Sequence, residues 1–268
     1  MENTSETYRL AGGLALAALI VVGIAWSLYP KPAAAPATEA TSTTPVATTT
    51  SHDGITASGG GFTVADGDTI ELPTPPDFRA PIAYADTVSP EGRAALAARA
   101  KALQEKLAKD SFDLAAWIDL GTIRKMAGDY RGAETAWVFV NAVAPEHPTA
   151  IANLADLYMN FLHDYPKAES RYLRLIALDT HQVGAYASLG MLYQHFYKIQ
   201  TTAAEEILLK GIAANPDAID LRIQLARYYK NTALLPGKAK AQYEAAIAVA
   251  DTQGNTSLAA ELRAEAGL

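Results

Sequence analysis

The 268-residue chain contains no cysteine. That excludes a disulfide framework, a thiolate zinc site, a cysteine nucleophile and an iron–sulfur cluster. It also lacks a basic run. Its 22 Lys and Arg residues are outnumbered by 29 Asp and Glu, giving a net charge of -7. Sequence-independent binding of nucleic acid needs clustered cations, so no nucleic-acid partner is expected. Catalytic patterns are equally scarce. The five histidines, His52, His147, His163, His181 and His195, form neither H-E-x-x-H nor an i,i+4 pair, so they offer no metal-ligand spacing. Neither G-x-S-x-G nor G-x-G-x-x-G occurs. Gly59-Gly60-Gly61 is not followed by the Gly-Lys and helix start of a phosphate loop, and Asp66, Asp68 and Glu71 lack the third ligand and glycine register of a calcium loop. The expectation is a protein without catalytic residues, metal or cofactor.

What the chain does have is alanine, 54 residues of it. Alanine is the best helix former and adds little bulk, so the 50% hydrophobic content overstates the core. After an N-terminal tail, residues 1–9, the run 10–29 is uncharged. Twenty residues make a helix of about 30 Å, the thickness of a hydrocarbon core. Trp26 and Tyr29 lie at one end, where interfacial aromatics sit. The preceding Glu2 and Glu6 outweigh Arg9, unlike the positive start of a cleaved signal peptide. The run reads as a single-pass membrane anchor. Residues 30–60 form a Pro/Thr/Ala-rich linker that cannot bury a core. Such tethers commonly hold extracytoplasmic domains, so the expected location is the cell membrane, with the rest of the chain outside.

Residues 61–88 read as an extended arm. Phe62-Thr63-Val64 and Thr69-Ile70-Glu71-Leu72 flank Asp66-Gly67, a hairpin signal. Pro73, Pro75, Pro76 and Pro81 follow, interleaved with Phe78, Ile82 and Tyr84, aromatics and aliphatics suited to docking on a helical body. Ser89-Pro90-Glu91 then starts a helix, with serine as N-cap and proline in the first turn. This helix fills an N-terminal capping segment, 89–110.

From there the chain repeats over 111–251. Four anchors recur every 34 to 36 residues. The first is Trp117, Ile151, Tyr186 and Arg222; the second is Leu120, Leu154, Leu189 and Leu225. Two small-residue columns follow: Gly121, Ala155, Gly190, Ala226, and Ala133, Ala168, Ala204, Ala239. Three residues after the first small position stands tyrosine (Tyr158, Tyr193, Tyr229), replaced by Arg124 in the first unit. Four after the second small position come Trp137, Tyr172, Leu208 and Tyr243. Each unit predicts two short helices, A and B, that approach closely at the small residues. No single hairpin can bury its apolar face, so the units must stack. The units span about 112–147, 148–182, 183–217 and 218–251, and a C-terminal capping helix is expected in 255–268.

This pattern resembles the tetratricopeptide repeat (TPR) family. Trp117-Ile118-Asp119-Leu120-Gly121 matches its W-x2-L-G signature, and Gly128-Asp129-Tyr130-Arg131-Gly132-Ala133 its inter-helix turn. The resemblance implies an all-α, right-handed solenoid whose A helices line an inner groove. It places three columns there: Thr122, Asp156, Met191, Arg227; Lys125, Met159, Gln194, Lys230; and Met126, Asn160, His195, Asn231. The partner-binding candidates are Asp156, Asn160, Gln194, His195, Arg227, Lys230 and Asn231. Asn160, Asn231 and His195 can pair with a peptide backbone, and Arg227 with Lys230 can take a carboxylate. The ordered lysine clamp of the chaperone-binding subfamily is missing, because Ile118 and Ala152 stand at its positions.

The acidity is local. Residues 30–88 carry a net -5 and residues 89–268 a net -1. A nearly neutral solenoid fits a peptide binder. The expected function is therefore a membrane-tethered scaffold that binds a protein or peptide in its groove. The alternative is a structural subunit of an envelope assembly or secretion complex, a homo- or hetero-oligomer built through anchor and arm.

Overall fold

A computed structural model describes residues 56–58, 61–63 and 69–268, and all of these fall in one compact unit, Ile55–Leu268. The tail, the anchor and nearly all of the linker expected in 1–60 lie outside the described residues. Among the described residues no helix is long and apolar enough to cross a membrane.

Three short strands come first: β1 (Thr56–Ser58), β2 (Gly61–Thr63) and β3 (Thr69–Glu71), in the order β1-β2-β3. Both pairings are antiparallel, with Phe62 opposite Ala57 on one side and Ile70 on the other. The strand β1 had no counterpart in the sequence reading.

Ten helices follow among the described residues: α1 (Pro90–Leu107), α2 (Leu114–Ala127), α3 (Tyr130–Val143), α4 (Pro148–Asn160), α5 (Tyr165–Leu178), α6 (Val183–His195), α7 (Ala203–Ala214), α8 (Ile219–Asn231), α9 (Pro236–Thr252) and α10 (Thr256–Ala266). Helices α2, α4, α6 and α8 are the A helices, and α3, α5, α7 and α9 the B helices. Each A helix packs on its own B helix, each B helix on the next A, and α6 also touches α8. The result is an all-helical stack of four repeats, flanked by α1 on α2 and α10 on α9.

Local sequence starts the early helices. Ser89, Asp113, Asp129, His147 and Asp164 each accept a backbone N–H in the first turn of α1 to α5. Helices α6 to α9 have no side-chain cap, so these later helices depend on stacking. That stacking is tight where the small columns predicted it. Ala133, Ala155, Ala168 and Ala226 are fully buried, as are Leu120, Leu154, Leu189 and Leu225.

The A–B turns reverse through a left-handed residue. In the first repeat this is Gly128, at φ 87°. In the others it is His163, Lys198 and Leu234, all at positive φ. A side chain in this region costs on the order of 1–2 kcal/mol. The longer turns of repeats two to four thus carry backbone strain that the first avoids with glycine.

Candidate functional site

The groove candidates are all on A helices, but neighbouring helices engage most of them. Asp156 on α4 pairs with Lys125 on α2 at 2.8 Å and accepts from Asn160 Nδ2 at 2.7 Å. Gln194 donates to Thr232 at 3.1 Å across the α6–α8 step. His195 is exposed, with its ring 6.1 Å from Phe196. Asn231 is exposed at the end of α8. Met159, placed by register in the groove columns, is instead 4% exposed and accepts from Tyr172 Oη at 3.8 Å.

Arg227 and Lys230, expected to be open to a partner's carboxylate, are instead engaged within the chain. Arg227 Nε and an Arg227 terminal nitrogen each donate to the Glu265 carboxylate at 2.8 Å. Lys230 Nζ donates to the Glu265 carbonyl oxygen at 2.7 Å. Tyr243 Oη also donates to Glu265 at 2.8 Å. The chain supplies its own acid here because α10 packs on α9, which brings its last turn beside α8.

Arg227, Lys230 and the Tyr243 phenol around Glu265 lower the pKa of its carboxyl. The Arg227 hydrogen bonds hold the carboxyl down to about 2, from an ordinary 4.5. Burial, together with Glu265, pushes the Tyr243 phenol up to about 12. Between pH 4.5 and 2 the unfolded chain holds a proton on Glu265 that the folded chain does not. Stability from this contact is full above the ordinary value and is lost as pH falls toward 2. With Arg227 54% exposed, solvent screening reduces the effect to about 1–2 kcal/mol. Denaturant midpoints measured against pH are expected to fall more steeply below 4.5 in the wild type than in Glu265→Gln.

Glu265 belongs to a longer series. It lies 36 residues after Tyr229 and so extends the tyrosine column by one member. The three inner members share one device. Tyr193 Oη donates to Glu169, and Tyr229 Oη donates to Glu205 at 2.7 Å. Lys198 and Lys238 pair with the same carboxylates at 2.5 and 2.8 Å and lie over the same tyrosine rings at 5.4 and 5.1 Å. At the first junction Lys167 lies 5.0 Å from the Tyr158 ring and 3.8 Å from Glu134. Burial, with Glu134 beside it, raises the Tyr158 phenol. Each acid follows a second-column alanine by one residue, a periodic signal that the sequence reading passed over. At the fourth junction the acid's place is taken by Lys240 and the tyrosine's by Glu265.

The opposite end of the column explains Arg124. Its guanidinium donates to Asp129 at 2.5 Å, to the Ala80 carbonyl at 2.6 Å and to the Pro81 carbonyl at 3.3 Å. Among the described residues no repeat precedes this one, and the arm's backbone takes the missing acid's place. Ala85 N–H donates to the Ala127 carbonyl at 2.8 Å, and Gln104 Nε2 to the Phe78 carbonyl at 3.0 Å. Phe78 meets Trp117 edge-on, with centroids 6.4 Å apart, and Ile82, Tyr84 and Val88 complete the cluster under α1 and α2. Residues 78–88 are therefore docked on their own chain.

Beside the exposed His195, the A-helix row also exposes amide and apolar side chains. Met126, Met191, Phe161 and Phe196 are between 36% and 54% exposed. Phe161 rests 4.7 Å from Tyr130, with Lys125 over it at 5.3 Å, and Phe196 rests 5.8 Å from Tyr165. Among the described residues no three His, Asp or Glu side chains gather as a metal site.

Stacked A–B pairs with small residues at the crossings and tyrosines at the junctions define a tetratricopeptide-type solenoid. The solved structure of MamA has this fold: it superposes with a TM-score of 0.51 at 18% identity, over 64% of this chain and 99% of MamA. A MamA RS-1 double mutant gives 0.48 at 19% identity over 60% of this chain and 88% of its own. YrrB, described as a TPR protein with an unusual peptide-binding site, gives 0.44 at 14% identity over 62% and 90%. At 18% identity the likeness to MamA shows the fold alone. Comparisons with protein-family models and with curated proteins return no match.

Proposed function

We propose that this chain is a membrane-tethered interaction scaffold whose A-helix row binds a peptide segment of a protein partner. The observation that carries the reading is the row itself. It offers exposed apolar side chains at Met126, Phe161, Met191 and Phe196 beside the amides Asn160, Gln194 and Asn231. An apolar surface with a few convergent polar groups is the usual make-up of a binding site. In this reading the tether is the uncharged run 10–29, and the Pro/Thr/Ala-rich linker that follows it supports a solenoid held at the cell membrane on the extracytoplasmic side.

A photo-crosslinking side chain introduced at Asn160 or His195 is expected to trap a partner in cells. The same group at Leu173, exposed on α5 in the B-helix row, is expected to trap far less. Adducts formed only from Leu173 would move the binding face to the other row. Resistance to carbonate extraction, lost on deleting residues 10–29, tests the tether. The alternative, a subunit that oligomerises through anchor and arm, has less support, because residues 78–85 of the arm are engaged by their own Arg124, Gln104 and Ala127.

A further inference from the structure

We propose that the A–B turns of repeats three and four form a lipid-docking edge, with Leu234 and Leu235 entering the headgroup layer of an anionic membrane and the lysines around them meeting its phosphates. The edge lies outside the peptide row and uses different residues.

Equivalent positions in the turns carry the inference. In repeats one, two and four a left-handed residue is followed directly by the N-cap of the B helix. Repeat one places Gly128 and Asp129 there, and repeat two His163 and Asp164. Both aspartates accept a backbone N–H of the helix that follows. Repeat four places Leu234, at φ 54°, and Leu235, which provides no side-chain cap. Glycine suits the left-handed region and aspartate the cap, so both leucines forgo local stability. Neither is buried in return: Leu234 is 73% exposed and Leu235 40%. A strained and exposed apolar pair points to a role outside the fold.

The neighbouring turn extends the patch. Ile199, 51% exposed, lies between α6 and α7. Gln194 donates to Thr232 at 3.1 Å and Lys238 Nζ to Glu205 at 2.8 Å, which holds the two turns side by side. From Asp220 to Glu244 the chain carries Arg222, Arg227, Lys230, Lys238 and Lys240 with no acid between them. Near the leucines, Arg227, Lys230, Lys238 and Lys240 outnumber the carboxylates set against them, Glu205, Glu206 and Glu265. The B–A turns 144–147, 179–182 and 215–218 form the opposite edge. They hold Glu146, Asp179 and Asp217, no Lys or Arg, and no exposed large hydrophobic residue. The two edges thus differ both in charge and in apolar character.

Charge selects the occupant. A second copy docked edge to edge would set both groups of lysines against each other, and lysine is depleted from protein interfaces. A bilayer accepts the combination. Leucines enter the boundary between headgroups and acyl chains, while lysine stems lie along apolar surface with their ammonium groups at the phosphates. Anionic lipid attracts this edge and repels the opposite one. The uncharged run 10–29, read above as an anchor, would keep a bilayer within reach.

The test uses the full chain, whose lack of cysteine allows single labels. A fluorophore at Ile199→Cys is followed on vesicles of phosphatidylglycerol and phosphatidylcholine in equal parts, with a nitroxide lipid as quencher. Leu209→Cys, exposed on the B helix α7, is the control. The label at 199 is expected to be quenched and the one at 209 not, with the quenching reduced in pure phosphatidylcholine and in high salt. Leu234→Gly combined with Leu235→Asp matches the Gly128-Asp129 pair of repeat one. It is expected to abolish quenching at 199 while the thermal midpoint holds or rises. Equal quenching at 199 and 209, quenching indifferent to lipid charge, or quenching retained in the double variant overturns the inference. So does self-association that the double variant abolishes without any quenching, which would assign the edge to a second copy. Flotation with vesicles in high salt reports the anchor separately, so the edge can fail while the tether stands. A chain that leaves the vesicles in high salt refutes the tether, and quenching at low salt still decides the edge.

Discussion

Replacing Arg124 with alanine is expected to cost about 3–5 kcal/mol and to free the arm, the range seen when one member of a buried charge pair is removed. The side chains of Arg124 and Asp129 are 6% and 12% exposed. The variant strands a buried carboxylate and leaves the Ala80 and Pro81 carbonyls without their donor. Asp129 keeps its capping bond to the Gly132 N–H, so α3 still starts where it does. Lysine is not expected to rescue, because one ammonium cannot reach two arm carbonyls and a carboxylate as a planar fork does. Two readouts separate the effects. Urea unfolding reports the stability, and trypsin cleavage after Arg79 reports the arm. Stability near wild type with the Arg79 site still protected would show that the apolar contacts of Phe78, Ile82 and Tyr84 hold the arm without Arg124.

The repeat architecture was legible because it is periodic. Trp117, Leu120, Gly121 and Ala133 recur by register alone, and helix packing at small residues needs no knowledge of the rest of the fold. The breaks in that register were legible only as breaks. Arg124 stood where a tyrosine was due, and nothing in the sequence said that its partners lie at Ala80 and Pro81, 44 and 43 residues upstream. Arg227 and Lys230 looked open because Glu265 lies in a helix outside the repeats. Pairs such as these join an A helix to a segment one repeat away. Their geometry depends on turn lengths and on the curvature of the whole stack, quantities no single repeat encodes. The two ends of the tyrosine column follow one rule. A junction that lacks a neighbouring repeat exchanges its tyrosine for a charged residue that grips whatever terminal segment lies there.

The strictest position in the stack is Gly121. A Cβ built there overlaps the indole of Trp137 at three ring atoms. The indole cannot give way freely, because it is fully buried and its Nε1 donates to the Ile118 carbonyl at 3.1 Å. Gly121→Ala is therefore expected to destabilise by about 3 kcal/mol, the upper part of the range for overpacking a filled core. Gly190→Ala should cost less, since the added methyl meets mainly the branched end of Leu208. The repeats themselves suggest the compensating change. Where the small residue is alanine, at Ala155 and Ala226, the facing residue is Tyr172 or Tyr243; where it is glycine, the partner is Trp137 or Leu208. Trp137→Tyr alone is expected to destabilise, through the lost indole volume and its bond to Ile118. Combined with Gly121→Ala, it recreates the pairing of repeats two and four, and the double variant should be more stable than the sum of the single costs allows. A double-mutant cycle in urea measures that coupling. A coupling energy near zero would mean that the first repeat absorbs the methyl by shifting α3 as a body, and that glycine at 121 answers to something other than the indole.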